Sequence, residues 1–132
     1  MALMAPVAAE IEALALSAVE RLPPLFRAHM ADVVVHVADF PDEEVMEEMG
    51  LESPFDLLGL YQGHPVGSGG DTFTGRLPPM IFLYRRPLLD AWAEGEESLE
   101  ALVTHVLVHE VGHHFGLSDA DMEAIEAHAQ EP

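Results

Sequence analysis

The stretch HVLVHEVGHHFGLSD, residues 105–119, holds four histidines, two acidic residues and two glycines in fifteen positions. Apolar residues recur at helical spacing from just before this stretch, at Leu99, Leu102, Val103, Val106 and Leu107. Ser98 can cap the start of the helix, and Gly116 is typical of a helix end because glycine adopts the left-handed conformation. The sequence therefore predicts one long helix over 98–115, followed by a sharp turn.

The rest of the chain supplies a sheet and further helices. β-Branched and aromatic runs predict three strands, at 32–40, 55–63 and 80–86. Apolar periodicity and capping residues predict further helices at 7–21, 41–50, 87–94 and 119–129. Between Gly63 and Pro79 the chain is rich in Gly, Pro and Ser, which predicts a long loop or hairpin. This order of elements predicts an α+β fold, a small mixed β-sheet packed with helices.

Length and charge narrow the possible functions. The 132 residues fit a single domain, 1–132. The formal net charge of −19 would repel phosphate backbones and anionic lipids, so we expect neither nucleic-acid nor membrane partners, and the charge favours a monomer. The N-terminus lacks the basic start of a signal peptide, and no apolar run approaches a membrane span. We therefore predict a cytoplasmic protein of bacterial type.

The central motif has the spacing of a metal site. His109 and His113 are four residues apart on the predicted helix, so one face can hold a metal ion between two imidazoles. Glu110 points about 100° away from His109 and would act as general base on a metal-held water. The turn after Gly116 can bring Asp119 back as a third ligand. The chain has no cysteine, and a His and carboxylate ligand set suits one zinc ion per chain.

The specificity of the motif depends on its length. In a chain of this composition His-Glu-x-x-His arises by chance in about one case in twenty, but adding Gly116 and an acid or His at the position of Asp119 lowers this to about one in a thousand. The competing interpretation is a set of histidines on a helix surface. For His105 and His114 a packed or solvated structural role is the favoured interpretation.

A family resemblance adds to this interpretation. The string HEVGHHFGLSD, together with LLGLYQGHPV (57–66) and LPPMIFLYRRPL (77–88), resembles the small bacterial zincin-like metallopeptidases called minimal metalloproteases. The resemblance covers about residues 9–126. It implies a reduced zincin-like core, zinc bound by His109, His113 and Asp119, and Glu110 as the catalytic carboxylate. Metzincins usually have a third histidine at the position of Asp119, so we do not expect this chain to share the substrate preferences of metzincins.

The predicted function is that of a zinc-dependent peptidase, which hydrolyses peptide bonds with a metal-activated water and Glu110 as general base. We expect slow turnover of short peptides or unfolded proteins, because so small a chain has little surface from which to form pockets for substrate side chains. The strand at 80–84 is expected to hold an extended peptide, and Tyr84, His105 and His114 are candidate oxyanion donors.

Two alternatives stay open, namely a zincin-fold peptide-binding module with little or no turnover and a structural metal site that ties the long helix to the last one. Glu110 argues against both, because neither needs a carboxylate at that position.

Replacing Asp119 tests the third ligand. If Asp119 only caps the last helix, Asn can share that role, so Asp119→Asn should leave the fold intact. If Asp119 binds zinc, the same change should weaken zinc affinity sharply, measured by competition with a chromophoric chelator, with circular dichroism as the control for folding. An unchanged affinity would instead favour His105 or Asp121 as the third ligand.

Overall fold

The computed structural model describes residues 5–63 and 78–117, together with Ala120, Asp121 and Ala124. The helices are α1 (Ala8–Glu20), α2 (Pro24–Ala28), α3 (Glu43–Met49), α4 (Arg85–Glu94) and α5 (Leu99–Phe115). The strands are β1 (Val34–Ala38), β2 (Gly59–Gln62) and β3 (Met80–Tyr84), and a short 3₁₀ helix spans Pro54–Asp56. This confirms the predicted α+β fold with a small mixed sheet. No helix in the described ranges is long and apolar enough to cross a membrane.

The sheet has the strand order β1-β3-β2. Strand β1 runs parallel to β3, with His36 opposite Phe82, and β2 runs antiparallel to β3, with Tyr61 opposite Ile81. The expectation that the strand at 80–84 holds a peptide was wrong, because β3 is the central strand and both of its edges are paired. Within the described residues β2 is the edge strand that lies beside α5.

The core lies between one face of the sheet and the helices α1 and α5. Ile81 and Leu83 alternate along β3 and are fully buried on this face. They belong to one apolar cluster with Ile11 of α1 and with Val103 and Leu107 of α5. Burial of apolar surface is the dominant favourable term in folding, so this cluster fixes α5 against the sheet.

Helix α5 begins and ends as the sequence predicts. The Ser98 hydroxyl accepts a hydrogen bond from the Ala101 backbone N–H at 3.0 Å. At the other end Gly116 has φ 67°, and the Leu117 N–H donates to the Gly112 carbonyl at 2.9 Å. The left-handed glycine therefore closes the helix and starts the predicted turn.

Other boundaries differ from the predictions for local reasons. The strand expected over 55–63 starts only at Gly59, because Ser53 caps the 3₁₀ helix by accepting a hydrogen bond from the Phe55 N–H at 3.1 Å. Helix α2 was not predicted, although Pro24 at its first position is typical of a helix start.

Some predictions fall partly or wholly outside the described ranges. Most of the segment predicted as a loop or hairpin between Gly63 and Pro79 lies outside them. Of the last predicted helix, 119–129, Ala120, Asp121 and Ala124 are described and are helical. The single domain over 1–132 stays a prediction.

Gly59 generates a test of the packing between β2 and α5. A Cβ atom at Gly59 would lie 2.7 Å from Val106 Cγ1 and 3.1 Å from the Phe82 carbonyl oxygen. Gly59→Ala should therefore destabilise the protein by about 1–3 kcal/mol in urea unfolding, as other overpacked cores are destabilised. In a Val106→Ala background, which makes room, the same change should have a smaller effect. Equal effects in both backgrounds would contradict this packing.

Candidate metal centre

The two histidines of the motif lie on the one exposed stripe of α5. The helix is largely buried along its length, and His105, His109 and His113 are the exposed residues between its first turn and Gly116. The Nε2 atoms of His109 and His113 are 3.3 Å apart. Two nitrogen atoms that bind one zinc ion at about 2.0–2.1 Å and at a tetrahedral angle lie about 3.3–3.4 Å from each other. The distance between the two imidazole nitrogens therefore matches that of two ligands on one zinc ion.

Glu110 lies beside this pair. His109, Glu110 and His113 each offer one ligand atom, and these three atoms all lie within 4.8 Å of one another. Such a cluster could hold a metal ion. The structure thus brings together three of the four predicted site residues. Asp119, the predicted third ligand, lies outside the described residues.

The carboxyl group of Glu110 is in an unusual environment for an acid. Glu110 is only 6% exposed, and its Cγ is 3.5 Å from the position that a Cβ on Gly59 would take. Burial raises the pKa of Glu110 from 4.5 to about 7, and a hydrogen bond with the Tyr61 backbone lowers it in part. A nearby divalent cation would favour the ionised carboxylate.

An open cleft runs along α5 past these residues. One part is a cavity of about 350 Å³ between His109, Glu110 and His113 on one side and β2 on the other. It is completed by Met49 and Leu57. A second part, of about 270 Å³, shares His109 and Glu110 and extends to His105. His109 and Glu110 therefore line both parts of the cleft.

Comparison with known proteins bears on this geometry. The profile of a family described as zincin-like metallopeptidase matches residues 30–129, which is 100 of the 132 residues. The chain belongs to the zincin-like metallopeptidase family. No curated protein matches it. The resemblance drawn from the motif is confirmed, and the matched range includes the sheet, α5 and the cleft of this zincin-like chain.

His114 lies on α5 beside the imidazole pair and is buried and hydrogen-bonded. It is 6% exposed, and its Nε2–H donates to the His29 carbonyl at 3.3 Å. Burial lowers the pKa of His114, which favours the neutral ring with Nδ1 as acceptor. The Tyr61 hydroxyl donates to that Nδ1 at 2.8 Å. The favoured interpretation of His114 as a packed, hydrogen-bonded histidine fits these contacts.

Tyr61 is a cleft residue that the sequence analysis missed. It lines the cavity beside His109 and His113, and its hydroxyl bonds to His114. The signal was present, since the period of a strand places Tyr61 on the same face as Gly59, toward α5. Of the candidate oxyanion donors, His105 lines the second part of the cleft, whereas Tyr84 lines a different cavity.

The buried Glu110 makes the stability of the zinc-free protein depend on pH. Its folded pKa of about 7 lies above its unfolded value near 4.5, so the folded state keeps a proton that the unfolded chain loses between these values. Stability should fall as pH rises through this window, by up to about 3 kcal/mol, because one pKa unit corresponds to about 1.4 kcal/mol. Glu110→Gln should remove this component.

The measurement is urea unfolding at pH 5 and pH 8 in the presence of a chelator. The exposed Glu97 provides the control, and Glu97→Gln should keep the pH dependence of the wild type. An equal pH-dependent loss in Glu110→Gln and wild type would contradict the assignment of this component to Glu110.

Proposed function

We propose that this protein is a zinc-dependent peptidase with one zinc ion per chain, held by His109, His113 and Asp119, and with Glu110 as the catalytic carboxylate. One observation carries the proposal. A buried carboxylate lies directly beside an exposed imidazole pair with the spacing of two zinc ligands, and the group lines an open cleft in a zincin-like metallopeptidase.

The donor set supports zinc. Two imidazoles and one carboxylate are nitrogen and oxygen ligands, and three protein ligands leave a fourth position open, as in catalytic sites. When bound, zinc supplies Lewis-acid chemistry, because it lowers the pKa of a coordinated water to about 7 and stabilises negative charge on a peptide carbonyl oxygen.

Glu110 handles the proton in this proposal. Burial raises the pKa of Glu110 in the metal-free chain, and a cation held by the imidazole pair would favour the ionised form that accepts a proton. The carboxylate accepts the proton of the attacking water and then delivers it to the nitrogen of the leaving amine. The hydrogen bond with the Tyr61 backbone holds the carboxylate in the cleft between α5 and β2.

The edge strand β2 supports a peptide substrate. The Tyr84 N–H donates to the Leu58 carbonyl, and the antiparallel register then points the backbone groups of Gly59 and Gly63 away from β3. The Tyr61 backbone points the same way and is engaged by Glu110. An extended peptide can pair with such an edge, and the cleft beside β2 contains Glu110 and the imidazole pair. β2 therefore takes the role first expected of the strand at 80–84.

The substrate class follows from shape and charge. The cleft is an open groove with few walls, so we propose short peptides or unfolded segments as substrates, cleaved slowly. The net charge of −19 argues for peptide partners rather than nucleic acid or a membrane surface. A cytoplasmic location and a monomeric state stay predictions.

The alternative function is a peptide-binding module that carries the metal site without significant turnover. The open cleft favours it, because a groove with few walls excludes little water from the reacting groups. Pairing with β2 would then supply the affinity, and Glu110 would have no chemical role.

Glu110→Gln separates the two functions. The change keeps the shape of the side chain and leaves the three proposed ligands in place, so zinc should bind with near-normal stoichiometry. Hydrolysis should fall by about 10²–10⁴-fold, the usual contribution of a positioned acid–base group. The measurement is cleavage of a peptide library by wild type, Glu110→Gln and the control Glu97→Gln at matched zinc occupancy.

Two results would contradict the peptidase proposal. Chelator-sensitive cleavage at the same rate in Glu110→Gln and wild type would remove Glu110 from the mechanism. A wild type without chelator-sensitive cleavage would favour the binding module.

A further inference from the structure

A larger cavity lies on the far side of the sheet from α1 and α5. It has a volume of about 420 Å³ and lies between the sheet and α3. Its floor and walls include His36, Asp42, Glu44, Glu48, Phe82 and Tyr84, and we call it the acidic groove. Phe82 and Tyr84 alternate with the core residues of β3, so they face away from α5. The proposed reaction does not use this groove.

The floor of the acidic groove is aromatic. The rings of Phe82 and Tyr84 are nearly parallel, at an angle of 8° with centroids 6.4 Å apart, and His36 packs edge-on against Phe82 at 5.7 Å. Such π faces attract cations, and the planar guanidinium group stacks on them readily.

The Tyr84 hydroxyl is a buried polar group that a ligand would satisfy. Tyr84 is 3% exposed, it lines the groove, and its hydroxyl makes no hydrogen bond within the part of the chain that the structure describes. A buried hydroxyl without a partner is unfavourable by about 1–3 kcal/mol. Burial, and after it the charges of Asp42 and Glu110, raise the pKa of Tyr84 to about 12, so the hydroxyl is neutral at physiological pH.

The wall formed by α3 concentrates negative charge. Glu44 and Glu48 are four residues apart on the groove side of α3, and like charges at this spacing repel each other. No basic residue lies in the last turn of α3. Among the described residues neither glutamate is in an ion pair. Asp42 is partly engaged, because its Oδ1 accepts from the Val45 N–H at 2.9 Å. Glu44 and Glu48 are therefore the carboxylates most available to a cation.

We propose that the acidic groove binds the guanidinium group of an arginine side chain on a peptide. The two glutamates accept charge-assisted hydrogen bonds, the half-buried Phe82 supplies an aromatic face, and the Tyr84 oxygen accepts from a guanidinium N–H. A neutral side chain of the same shape keeps the contact with Phe82 but makes weaker hydrogen bonds, because they lack the charge assistance.

The groove and the metal cleft both reach β2, at different residues. Gln62 lines the acidic groove, whereas Tyr61 and Gly63 line the cleft. Alternate side chains of an extended peptide paired with β2 point to opposite faces, so one peptide can place an arginine in the groove and pass along the cleft. This placement rests on the proposed function, but binding of the arginine side chain in the groove does not.

Binding is measured by NMR titration of the zinc-free protein with Nα-acetyl-L-arginine methylamide. The matched probe is the citrulline derivative, which keeps the shape of arginine without the charge. We expect the amide signals of His36, Phe82 and Tyr84 to shift with the arginine probe, and the citrulline probe to bind at least about tenfold more weakly, as loss of a charged hydrogen-bonding group implies. No shifts in these residues, or equal affinity for both probes, would overturn the proposal.

Helix α3 offers a matched pair of variants. Glu44→Gln/Glu48→Gln removes two charges from the groove wall, and Glu43→Gln/Glu47→Gln removes two charges from the same helix at positions that do not line the groove. The first variant should weaken arginine binding at least about fivefold and the second should not. Equal weakening of arginine binding by the two variants would show a general effect of net charge and would overturn the proposed arginine site. Because no zinc is present, failure of the peptidase proposal would not affect either result.

Discussion

Helix α5 packs closely against β2 at Gly59, and this contact positions the motif residues of the candidate metal centre. Gly59 has no side chain, so Val106 and Glu110 of α5 can approach the strand closely. The other sides of the helix are buried against α1 and the sheet, which leaves one exposed stripe that carries His105, His109 and His113. A metal site on this stripe is therefore held by a helix that has little freedom to shift.

The same packing sets the chemistry of Glu110. A carboxylate at a surface position would be ionised at neutral pH, whereas the buried Glu110 is held with a pKa of about 7. Burial of an ionisable group lowers the stability of the zinc-free fold when the group is charged. The imidazole pair next to it offers a place for a cation, which would offset that charge. Glu110 therefore couples metal binding to the stability of the fold.

The sequence predicted local features well because they depend on neighbouring residues. His109, Glu110 and His113 are on one helix, so their spacing alone placed them together, and Ser98 and Gly116 marked its ends. Features that depend on strand order were harder to predict. The central position of β3 follows from its parallel pairing with β1, whose residues lie more than forty positions earlier in the sequence than their partners in β3. The two strands have similar apolar patterns, so the sequence does not show which of them is central.

The hydrogen bond between Tyr61 and His114 shows the same limit. It joins residues 53 positions apart, and it exists only because β2 lies antiparallel to β3 and against α5. The acidic groove likewise needs α3 to lie across the far face of the sheet, which no local pattern specifies. The predicted role of Asp119 rests on its spacing after Gly116 and on the family resemblance, and it stays a prediction.

The most direct test of the central claim is a zinc titration of protein with ¹⁵N-labelled histidine rings, followed by NMR. The chain has eight histidines, and we expect one equivalent of zinc to change the Nε2 signals of His109 and His113 in a saturable step. The hydrogen-bonded ring of His114 should keep its tautomer. A response from any other pair of histidines, or no saturation at one equivalent, would contradict the proposed metal centre.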